Sequence, residues 1–250
     1  MIENQNTIVI IPARMASTRL PGKPLADIHG LPMIVHVWRR ALAANVGQVL
    51  VAAAENEIAE TIRAAGGDAI VTDPALPSGS DRIAAALRLR DPGGHRFGFV
   101  VNLQGDLPTI DSLSIQRCLA GLGNEQAEIS TIAAPIESLA DLANPNIVKA
   151  IAPLSEEREV AFARDFVRHI GPEHAAPYWH HIGIYAYRRA ALDRFVGLAV
   201  TAREAERKLE QMRALDHGMS IVVVRVDTVP LGVDTPADLE IARQMLRQSA

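Results

Sequence analysis

The feature that most constrains the fold of this 250-residue chain is the alternation of short apolar runs with helical patterns in its first half. Runs such as "FGFVVNL" are typical of strands covered on both faces, and the segments between the runs repeat at helical spacing. This alternation predicts a mostly parallel sheet flanked by helices, which is the α/β class. The predicted strands are 7–12, 49–53, 68–71 and 97–103, and the predicted helices are 32–44, 57–65 and 80–89.

The alternation loosens after residue 103. Here the pattern predicts strands at 128–134, 180–187 and 220–226, and helices at 110–122, 203–217 and 238–247. Residues 153–178 are polar and fit neither period, so we expect a mobile loop or a loosely packed lobe there, with a substrate lid as the alternative. From the length and the 48% hydrophobic content we expect a single domain over 1–250, in which about 140–200 form a smaller lobe.

Composition excludes several classes of function. A net charge of -4 and a pI near 6.1 give no general attraction to nucleic acid, so a small phosphorylated ligand fits better than a polymer. The single cysteine, Cys118, rules out an intramolecular disulfide and a cysteine zinc site, and we expect it to be buried and inert. The sequence has neither a signal peptide nor an apolar run of membrane-spanning length, so we expect a soluble cytoplasmic protein without a membrane partner.

A basic segment follows the first predicted strand. The string "PARMASTRLPGKPL" places Arg14, Arg19 and Lys23 in one loop. Ligands of open parallel sheets bind beyond the carboxyl ends of the strands, so these cations suit a triphosphate. Charge alone favours a solvated basic loop over a ligand site, and neither a P-loop nor a GxGxxG motif is present.

Two aspartates lie next to predicted elements, one after a strand and one before a helix. Asp106 comes directly after the strand 97–103, and it should therefore lie on the same edge of the sheet as the basic loop. Asp234 precedes the last helix, where Thr235 is the expected N-cap and Asp238 completes an acidic capping box. Read from the residues alone, Asp234 is therefore either a ligand or simply a residue that starts a helix.

The longer string "IPARMASTRLPGKPLADIHGLPMIVHVWRRA" closely resembles the opening of the cytidylyltransferases that activate 3-deoxy-manno-octulosonate (Kdo). The similarity continues in family order through "AAGGDAIVTDPALPSGSDRI", "VVNLQGDLPTI", "NPNIVKAI", "HHIGIYAYRR", "KLEQMRAL" and "VPLGVDTPADL". It implies a Rossmann-like nucleotidyltransferase fold with a small sugar-binding and dimerisation lobe, Mg²⁺ dependence and a homodimer. The implied reaction transfers CMP from CTP to the anomeric hydroxyl of Kdo, releasing pyrophosphate and forming CMP-Kdo for lipopolysaccharide synthesis.

The resemblance also implies residue roles. The catalytic residues would be Arg14, Lys23, Asp106 and Asp234, the two aspartates as the magnesium ligands. The nucleotide-binding residues would be Ala13, Arg14, Arg19, Lys23, Ser78, Gly79, Arg82 and Gln104. The sugar-binding residues would be Arg164, His181, Tyr185, Glu210 and Gln211. Carboxylate oxygens suit Mg²⁺, and the planar guanidinium of arginine suits the carboxylate of an acidic sugar.

Some of these residues have ordinary structural explanations. In the segment "SGSDR", which supplies Ser78, Gly79 and Arg82, the residues Ser80 and Asp81 also make a common helix start. His181 and Tyr185 alternate on one strand face as core or surface residues do. Glu210 and Gln211 follow Leu209 at the margin of an apolar helix face, so their role rests on the family match.

The sequence departs from the family pattern at several positions, namely Ala53, Ala54, Leu107 and Ala163. The last precedes Arg164 in the diverged segment, and Arg168 is the alternative sugar ligand if the alignment slips there. Two rival functions stay open: a cytidylyltransferase for another acidic sugar, of the amino-Kdo or sialic acid type, and a catalytically weak CTP-binding protein. A sugar-phosphate nucleotidyltransferase is disfavoured because that family opens with a Gly-rich first loop.

Overall fold

The computed structural model describes residues 1–171, 174 and 176–247, and these form two compact units. The first unit comprises Ile2–Gln116 and the described part of Pro230–Ala250. The second unit comprises Arg117–Val229 together with Met1. The expectation of one domain over 1–250, with a smaller lobe at about 140–200, stays a prediction.

The first unit carries an α/β arrangement. Its strands are β1 Thr7–Ala13, β2 Asp27–Ile28, β3 Leu31–Pro32, β4 Gln48–Ala53, β5 Ala69–Val71 and β6 Phe99–Asn102. Its helices are α1 Met33–Ala44, α2 Asn56–Ala64, α3 Gly79–Arg90 and α4 Ser112–Ala120, and α4 carries the chain into the second unit.

The main sheet of the first unit has the order β5, β4, β1, β6, and every pair in it is parallel. The central strand β1 is almost entirely buried, which explains its unbroken apolar sequence. The strands predicted at 7–12, 49–53, 68–71 and 97–103 are all confirmed, with shifts of one or two residues at their ends. Because these strands are parallel, the loops that follow β1 and β6 leave the same edge of the sheet.

The second unit is built on a mixed sheet. Its strands are β7 Ile129–Pro135, β8 Lys149–Ile151, β9 Val160–Phe162, β10 Asp165–Val167, β11 Trp179–Arg188 and β12 Ile221–Arg225. Its helices are α5 Leu139–Ala143, α6 Arg189–Val196, α7 Ala202–Arg207 and α8 Gln211–Asp216. The strands β7 and β12 are parallel, whereas β11 with β7, β12 with β9 and the pairs made by β8 are antiparallel. The chain ends with helix α9 Pro236–Arg247 in the first unit.

The single helix predicted over 203–217 is wrong. Two helices occupy this range, because Lys208 takes a left-handed conformation with φ of 54° and ends α7. A buried ion pair holds α8 to α7, in which Nε and Nη2 of Arg213 donate to the Glu204 carboxylate at 2.8 Å and 2.6 Å.

Part of the polar stretch 153–178 is regular structure. It contains β9 and β10, each of three residues, although residues 172, 173 and 175 lie outside the described part of the chain. Cys118 is fully buried as predicted, and burial raises the pKa of its thiol. In the described part of the chain, no helix has both the length and the apolar character needed to cross a membrane.

Candidate active site

The loop after β1 is fixed by its own backbone and by one carboxylate. The amide of Gly22, which has φ of 69°, donates to the carbonyl of Met15 at 3.4 Å. The amide of Met15 donates to Oε2 of Glu55 at 3.0 Å. Glu55 was not identified from the sequence, since nothing local connects it to a loop 40 residues earlier. It shapes the loop that presents the basic side chains.

Lys23 lies between the two predicted metal ligands. Its Nζ donates to Oδ2 of Asp106 at 2.8 Å and to Oδ1 of Asp234 at 3.0 Å, and Arg19 pairs with Oδ2 of Asp234 at 2.9 Å. Burial alone would lower the pKa of Lys23, but the carboxylates of Asp106 and Asp234 outweigh it and raise that pKa above its usual value. The site therefore combines an ammonium with two converging carboxylates.

A backbone contact explains why these two aspartates meet. The amide of Val233 donates to the carbonyl of Asp106 at 2.9 Å, which brings the segment before α9 alongside the segment after β6. The start of α9 is capped by Thr235 and Asp238: the amide of Asp238 donates to Oγ1 of Thr235 at 3.2 Å, and the amide of Thr235 donates to Oδ2 of Asp238 at 2.8 Å. The Asp234 carboxylate takes no part in this cap, so the helix-start explanation does not account for it.

A cavity of about 380 Å³ lies at this edge of the first unit. It is lined by every residue predicted to bind nucleotide or metal: Ala13, Arg14, Arg19, Lys23, Ser78, Gly79, Arg82, Gln104, Asp106 and Asp234. Residues from separate loops thus line one cavity that is large enough for a small ligand. Their individual roles stay predictions.

The start of α3 forms part of the lining. Ser78 is its N-cap and accepts from the amide of Asp81 at 3.2 Å, so the cap lies two residues before the Ser80 considered from the sequence. Arg82 is 2% exposed, and its Nη1 donates to Oγ1 of Thr72 at 2.6 Å and to the carbonyl of Asp73 at 3.1 Å. Arg82 therefore also supports the turn that precedes α3.

Gln104 and Gly105 of the "QGD" segment each make a specific contact. Nε2 of Gln104 donates to Oδ1 of Asn102 at 2.9 Å, so Asn102 orients the amide that lines the cavity. A Cβ on Gly105 would lie 2.9 Å from the carbonyl oxygen of Pro12, so this close approach requires glycine. Asn102 was missed because the apolar run around it predicts only a strand, and its burial depends on the packed sheet.

The predicted sugar-binding residues all lie in the second unit, where two of them share an aromatic cluster. The ring of His181 is 4.8 Å from that of Phe166 and 5.5 Å from that of Tyr185. A bulge lies between Ile182 and Tyr185, yet the rings of His181 and Tyr185 remain neighbours, as their expected placement on one strand face requires. Burial lowers the pKa of His181 to about 3 and raises that of Tyr185, so both rings are uncharged at neutral pH.

Thr131 sets the tautomer of His181. Oγ1 of Thr131 lies 2.9 Å from Nε2 of His181, 2.7 Å from the carbonyl oxygen of Ile184 and 3.2 Å from that of Ile182. When the single hydroxyl proton goes to either carbonyl, Nε2 of His181 donates to Thr131 and Nδ1 is left as an acceptor. Thr131 is 50 residues from His181, so sequence reading could not pair them.

Glu210 and Gln211 begin helix α8, Glu210 as its N-cap residue. Gln211 is 7% exposed, and its buried Nε2 has no hydrogen-bond partner in the described part of the chain. A buried amide donor left unpaired is costly, and a ligand oxygen would remove that cost.

The two arginines considered for the sugar carboxylate differ in their surroundings. Arg164 is exposed, and no ion pair to its side chain is found among the described residues. Arg168 directs its guanidinium to the carbonyl oxygens of Pro145, Arg207 and Lys208. Arg164 is the freer of the two to bind an anion.

The donor set in the first unit fits magnesium. No group of three or more His, Cys, Asp or Glu residues that would enclose a metal gathers within the described residues. Asp106 and Asp234 instead offer two carboxylates that already converge on one cation, the Lys23 ammonium. Mg²⁺ is commonly bound through one or two carboxylates, with waters and substrate phosphates completing its shell.

A parallel sheet with a basic loop and paired carboxylates at its carboxyl edge makes this chain a nucleotidyltransferase by fold. A solved nucleotidyl transferase from Methanothermobacter thermautotroptrophicus has the same fold, with a TM-score of 0.61 at 14% identity over 98% of this chain and 99% of that one. A sequence model of the family described as Cytidylyltransferase matches residues 8–221.

Proteins of higher sequence identity identify the family more specifically. The 3-deoxy-manno-octulosonate cytidylyltransferase of Parvibaculum lavamentivorans is 57% identical over 96% of this chain and 92% of its own length, and that of Paramagnetospirillum magneticum is 52% identical over 96% and 97%. A solved CMP:2-keto-3-deoxy-manno-octonic acid synthetase complexed with CTP is 36% identical, with a TM-score of 0.87 over 98% of this chain and 99% of that one. The chain belongs to the 3-deoxy-manno-octulosonate cytidylyltransferase family.

Proposed function

We propose that this chain transfers CMP from CTP to the anomeric hydroxyl of 3-deoxy-D-manno-octulosonate and releases pyrophosphate. The observation that carries the proposal is the convergence of Lys23, Asp106 and Asp234 beside the basic loop, in a chain of this family. The CTP complex of the similar synthetase supports the nucleotide, and the names of the relatives support the sugar.

The reaction joins the anomeric oxygen to the α-phosphorus of CTP and breaks the bond from that phosphorus to the pyrophosphate oxygen. The hydroxyl proton passes to solvent or to the departing pyrophosphate. Arg14, Arg19 and Lys23 line the cavity and would bind the triphosphate, offsetting the charge that gathers on pyrophosphate as it leaves. Catalysis of this kind rests on positioning and on charge, so no nucleophilic side chain is required.

We propose Mg²⁺ as the cofactor, with Asp106 and Asp234 as its protein ligands. When bound, the ion neutralises phosphate charge and favours ionisation of the attacking hydroxyl. Without the ion, the same carboxylates raise the pKa of Lys23 above its usual value despite burial. With the carboxylates engaged by the ion, the ammonium of Lys23 would be free to bind a phosphate oxygen.

For the sugar, we propose contacts from the second unit. Gln211 supplies a buried, unpaired amide donor, since no described residue accepts from its Nε2. Neutral His181 supplies Nδ1 as an acceptor, because Thr131 receives the proton on Nε2. A donor and an acceptor suit the hydroxyl groups of a sugar, and exposed Arg164 suits its carboxylate.

We also propose that the protein is a cytoplasmic homodimer. Membership of the family supports the homodimer. Light scattering after size-exclusion chromatography tests the dimer, and fractionation of cells producing the protein tests the compartment.

Pyrophosphate release with each common nucleoside triphosphate, crossed with a panel of acidic sugars, tests the activity. We expect release with CTP and Kdo, a preference for CTP over the purine nucleotides, and loss of release when Mg²⁺ is chelated. A stronger response to an amino-substituted Kdo or to a sialic acid would identify another acidic sugar as the substrate. Binding of CTP without release from any sugar would establish a catalytically weak CTP-binding protein instead.

A further inference from the structure

Arg168 joins two backbone segments of the second unit. Its Nε donates to the carbonyl of Arg207 at 2.8 Å, its Nη1 to the carbonyl of Pro145 at 3.0 Å and its Nη2 to the carbonyl of Lys208 at 3.3 Å. Each of its three side-chain nitrogens thus donates to a main-chain oxygen. Two of the acceptors belong to residues 207–211, here named the α7–α8 corner.

Lys149 holds Arg168 in turn. The Lys149 side chain is fully buried, and its Nζ donates to the carbonyl of Asn144 at 2.7 Å and to that of Arg168 at 2.9 Å. Arg168 is therefore fixed through its own backbone and through its guanidinium. The two cations connect the loop around 144–145 to the α7–α8 corner.

The backbone of the α7–α8 corner explains why it needs this support. Lys208 is left-handed with φ of 54°, a conformation that is unfavourable for a non-glycine residue and persists only where neighbours enforce it. The carbonyls of Arg207 and Lys208 lie at the end of α7, where intrahelical donors are lacking, and a guanidinium is favoured there. Arg168 supplies the missing donors.

The corner also carries two of the predicted sugar-binding residues. Glu210 and Gln211 follow Lys208 by two and three positions, so the backbone angles at Lys208 set the direction in which both leave the corner. The buried Nε2 of Gln211 has no hydrogen-bond partner within the described chain, so a ligand oxygen there would satisfy it.

We propose that Arg168 is a positioning residue for the acidic-sugar site: it fixes the α7–α8 corner and thereby the places of Glu210 and Gln211, without itself contacting the sugar. The inference rests on the proposed function, because Glu210 and Gln211 are sugar-binding residues only if that function holds. It differs from the alternative given by the sequence, in which Arg168 would bind the sugar carboxylate directly.

A matched control is available in the same unit. Arg188 also donates to three main-chain carbonyls, from Nε to Ala127 at 2.8 Å and from Nη2 to Leu122 at 2.9 Å and Asn124 at 3.2 Å. These hydrogen bonds fix the loop at 122–127, which carries no residue predicted to bind a substrate. Arg188→Ala therefore removes the same kind of support elsewhere.

The experiment combines hydrogen exchange without substrate and steady-state kinetics on wild type, Arg168→Ala, Arg168→Lys and Arg188→Ala. Arg168→Ala should speed exchange of the amides at 208–213, and it should raise the KM for the acidic sugar on the order of ten- to a hundredfold while the KM for CTP stays within about twofold. Arg168→Lys should give an intermediate sugar KM, since an ammonium can serve fewer of the three carbonyls. Arg188→Ala should change exchange only near 122–127.

Several results would overturn the proposal. Unchanged exchange at 208–213 together with a raised sugar KM would show that Arg168 contacts the sugar directly. Faster exchange with unchanged sugar KM would show a purely structural contact, as would an equal rise in both KM values or an equal sugar effect in Arg188→Ala. Failure of the proposed function is separate, because wild type would then release no pyrophosphate with any acidic sugar. Should Arg168→Ala not fold, the Arg168→Lys variant carries the same comparison.

Discussion

The ammonium of Lys23 lies 2.8 Å from the carboxylate of Asp106, although the two residues are 83 positions apart. Lys23 belongs to the loop after β1, and Asp106 to the loop after β6. The pairing of β1 with β6 brings these loops to one edge, and the carboxylate of Asp234 joins them from the segment before α9. The chemistry of the first unit thus depends on three chain segments that the parallel sheet and one backbone contact align.

Removing the charge of either converging aspartate should abolish most of the activity. Asp106→Asn and Asp234→Asn keep side-chain size but weaken a carboxylate ligand for Mg²⁺, so turnover should fall on the order of a hundredfold or more. Pyrophosphate release measured across a magnesium titration checks this. The control is Asp111→Asn, because Asp111 caps α4 through the amide of Ser114 at 2.7 Å and does not line the cavity. Near-normal turnover of Asp106→Asn or Asp234→Asn at limiting Mg²⁺ would contradict that ligand assignment.

Lys23→Met should separate triphosphate binding from metal binding. Without the ammonium, the carboxylates of Asp106 and Asp234 lose a shared partner and repel each other, so Mg²⁺ should raise the Tm of this variant more than that of wild type. Turnover should fall, because the triphosphate loses a cation. Thermal melts over a Mg²⁺ series, with and without CTP, provide both readings. Equal Mg²⁺ shifts in the two proteins would argue against a metal site between these carboxylates.

The cap of α9 gives a pH-dependent contribution to stability. Partial burial alone would raise the pKa of Asp238, but hydrogen bonds from Thr235 and from the amide of Asp234 outweigh it and lower that pKa below its ordinary value of 3.8. A carboxyl whose folded pKa is depressed stabilises the fold above its unfolded pKa, and this contribution is lost as the pH falls through the folded value. Asp238→Asn should therefore lower the free energy of unfolding by about 1 kcal/mol at neutral pH.

The same difference should shrink as the pH falls below the ordinary value of 3.8, where the unfolded carboxyl takes up its proton, and should be lost once the pH passes the lower pKa of the folded carboxyl. Urea denaturation of wild type and of Asp238→Asn at neutral and at acidic pH measures this difference in the free energy of unfolding. A difference that stays constant over this range would show that the charge of Asp238 contributes nothing to the cap.

The first unit could be predicted well because its signals are local. The apolar runs of β1 and β6 give the strands, parallel pairing gives their shared edge, and residues directly after each strand fall on that edge. The capping box of Thr235 and Asp238 likewise needs only four consecutive positions. What stayed open was the Asp234 side chain, since its partner Lys23 is 211 residues away.

The second unit resisted prediction for physical reasons that particular residues show. Lysine rarely adopts positive φ, so nothing in the sequence indicated that Lys208 would end α7 and divide one expected helix into two. The strands β9 and β10 have three residues each, too few for a period of two to appear. The pairing of His181 with Thr131 depends on the register of β11 against β7, including its bulge.

Arg164 is the predicted sugar ligand that depends most on alignment, because it follows the divergent Ala163 in the polar stretch 153–178. If its guanidinium binds the sugar carboxylate at two points, Arg164→Lys keeps the charge but loses the second contact, and sugar binding should weaken by roughly 1–3 kcal/mol. Binding of CTP should hardly change. Separate titrations of CTP and sugar measure both affinities, with Arg158→Lys as the matched variant, since Arg158 is another exposed arginine of the same unit.

Which affinity is lost, that for CTP or that for the sugar, distinguishes the roles that an exposed arginine can have. A phosphate-binding Arg164 would instead lower CTP affinity with a marked salt dependence, and a purely surface Arg164 would behave as Arg158 does. Loss of sugar affinity in Arg168→Lys but not in Arg164→Lys would show that the register through this segment is shifted, unless the amides at 208–213 of Arg168→Lys also exchange faster. If those amides do exchange faster, the loss of sugar affinity in Arg168→Lys results from a displaced α7–α8 corner. Unchanged sugar affinity in Arg164→Lys then excludes Arg164 as the ligand of the sugar carboxylate.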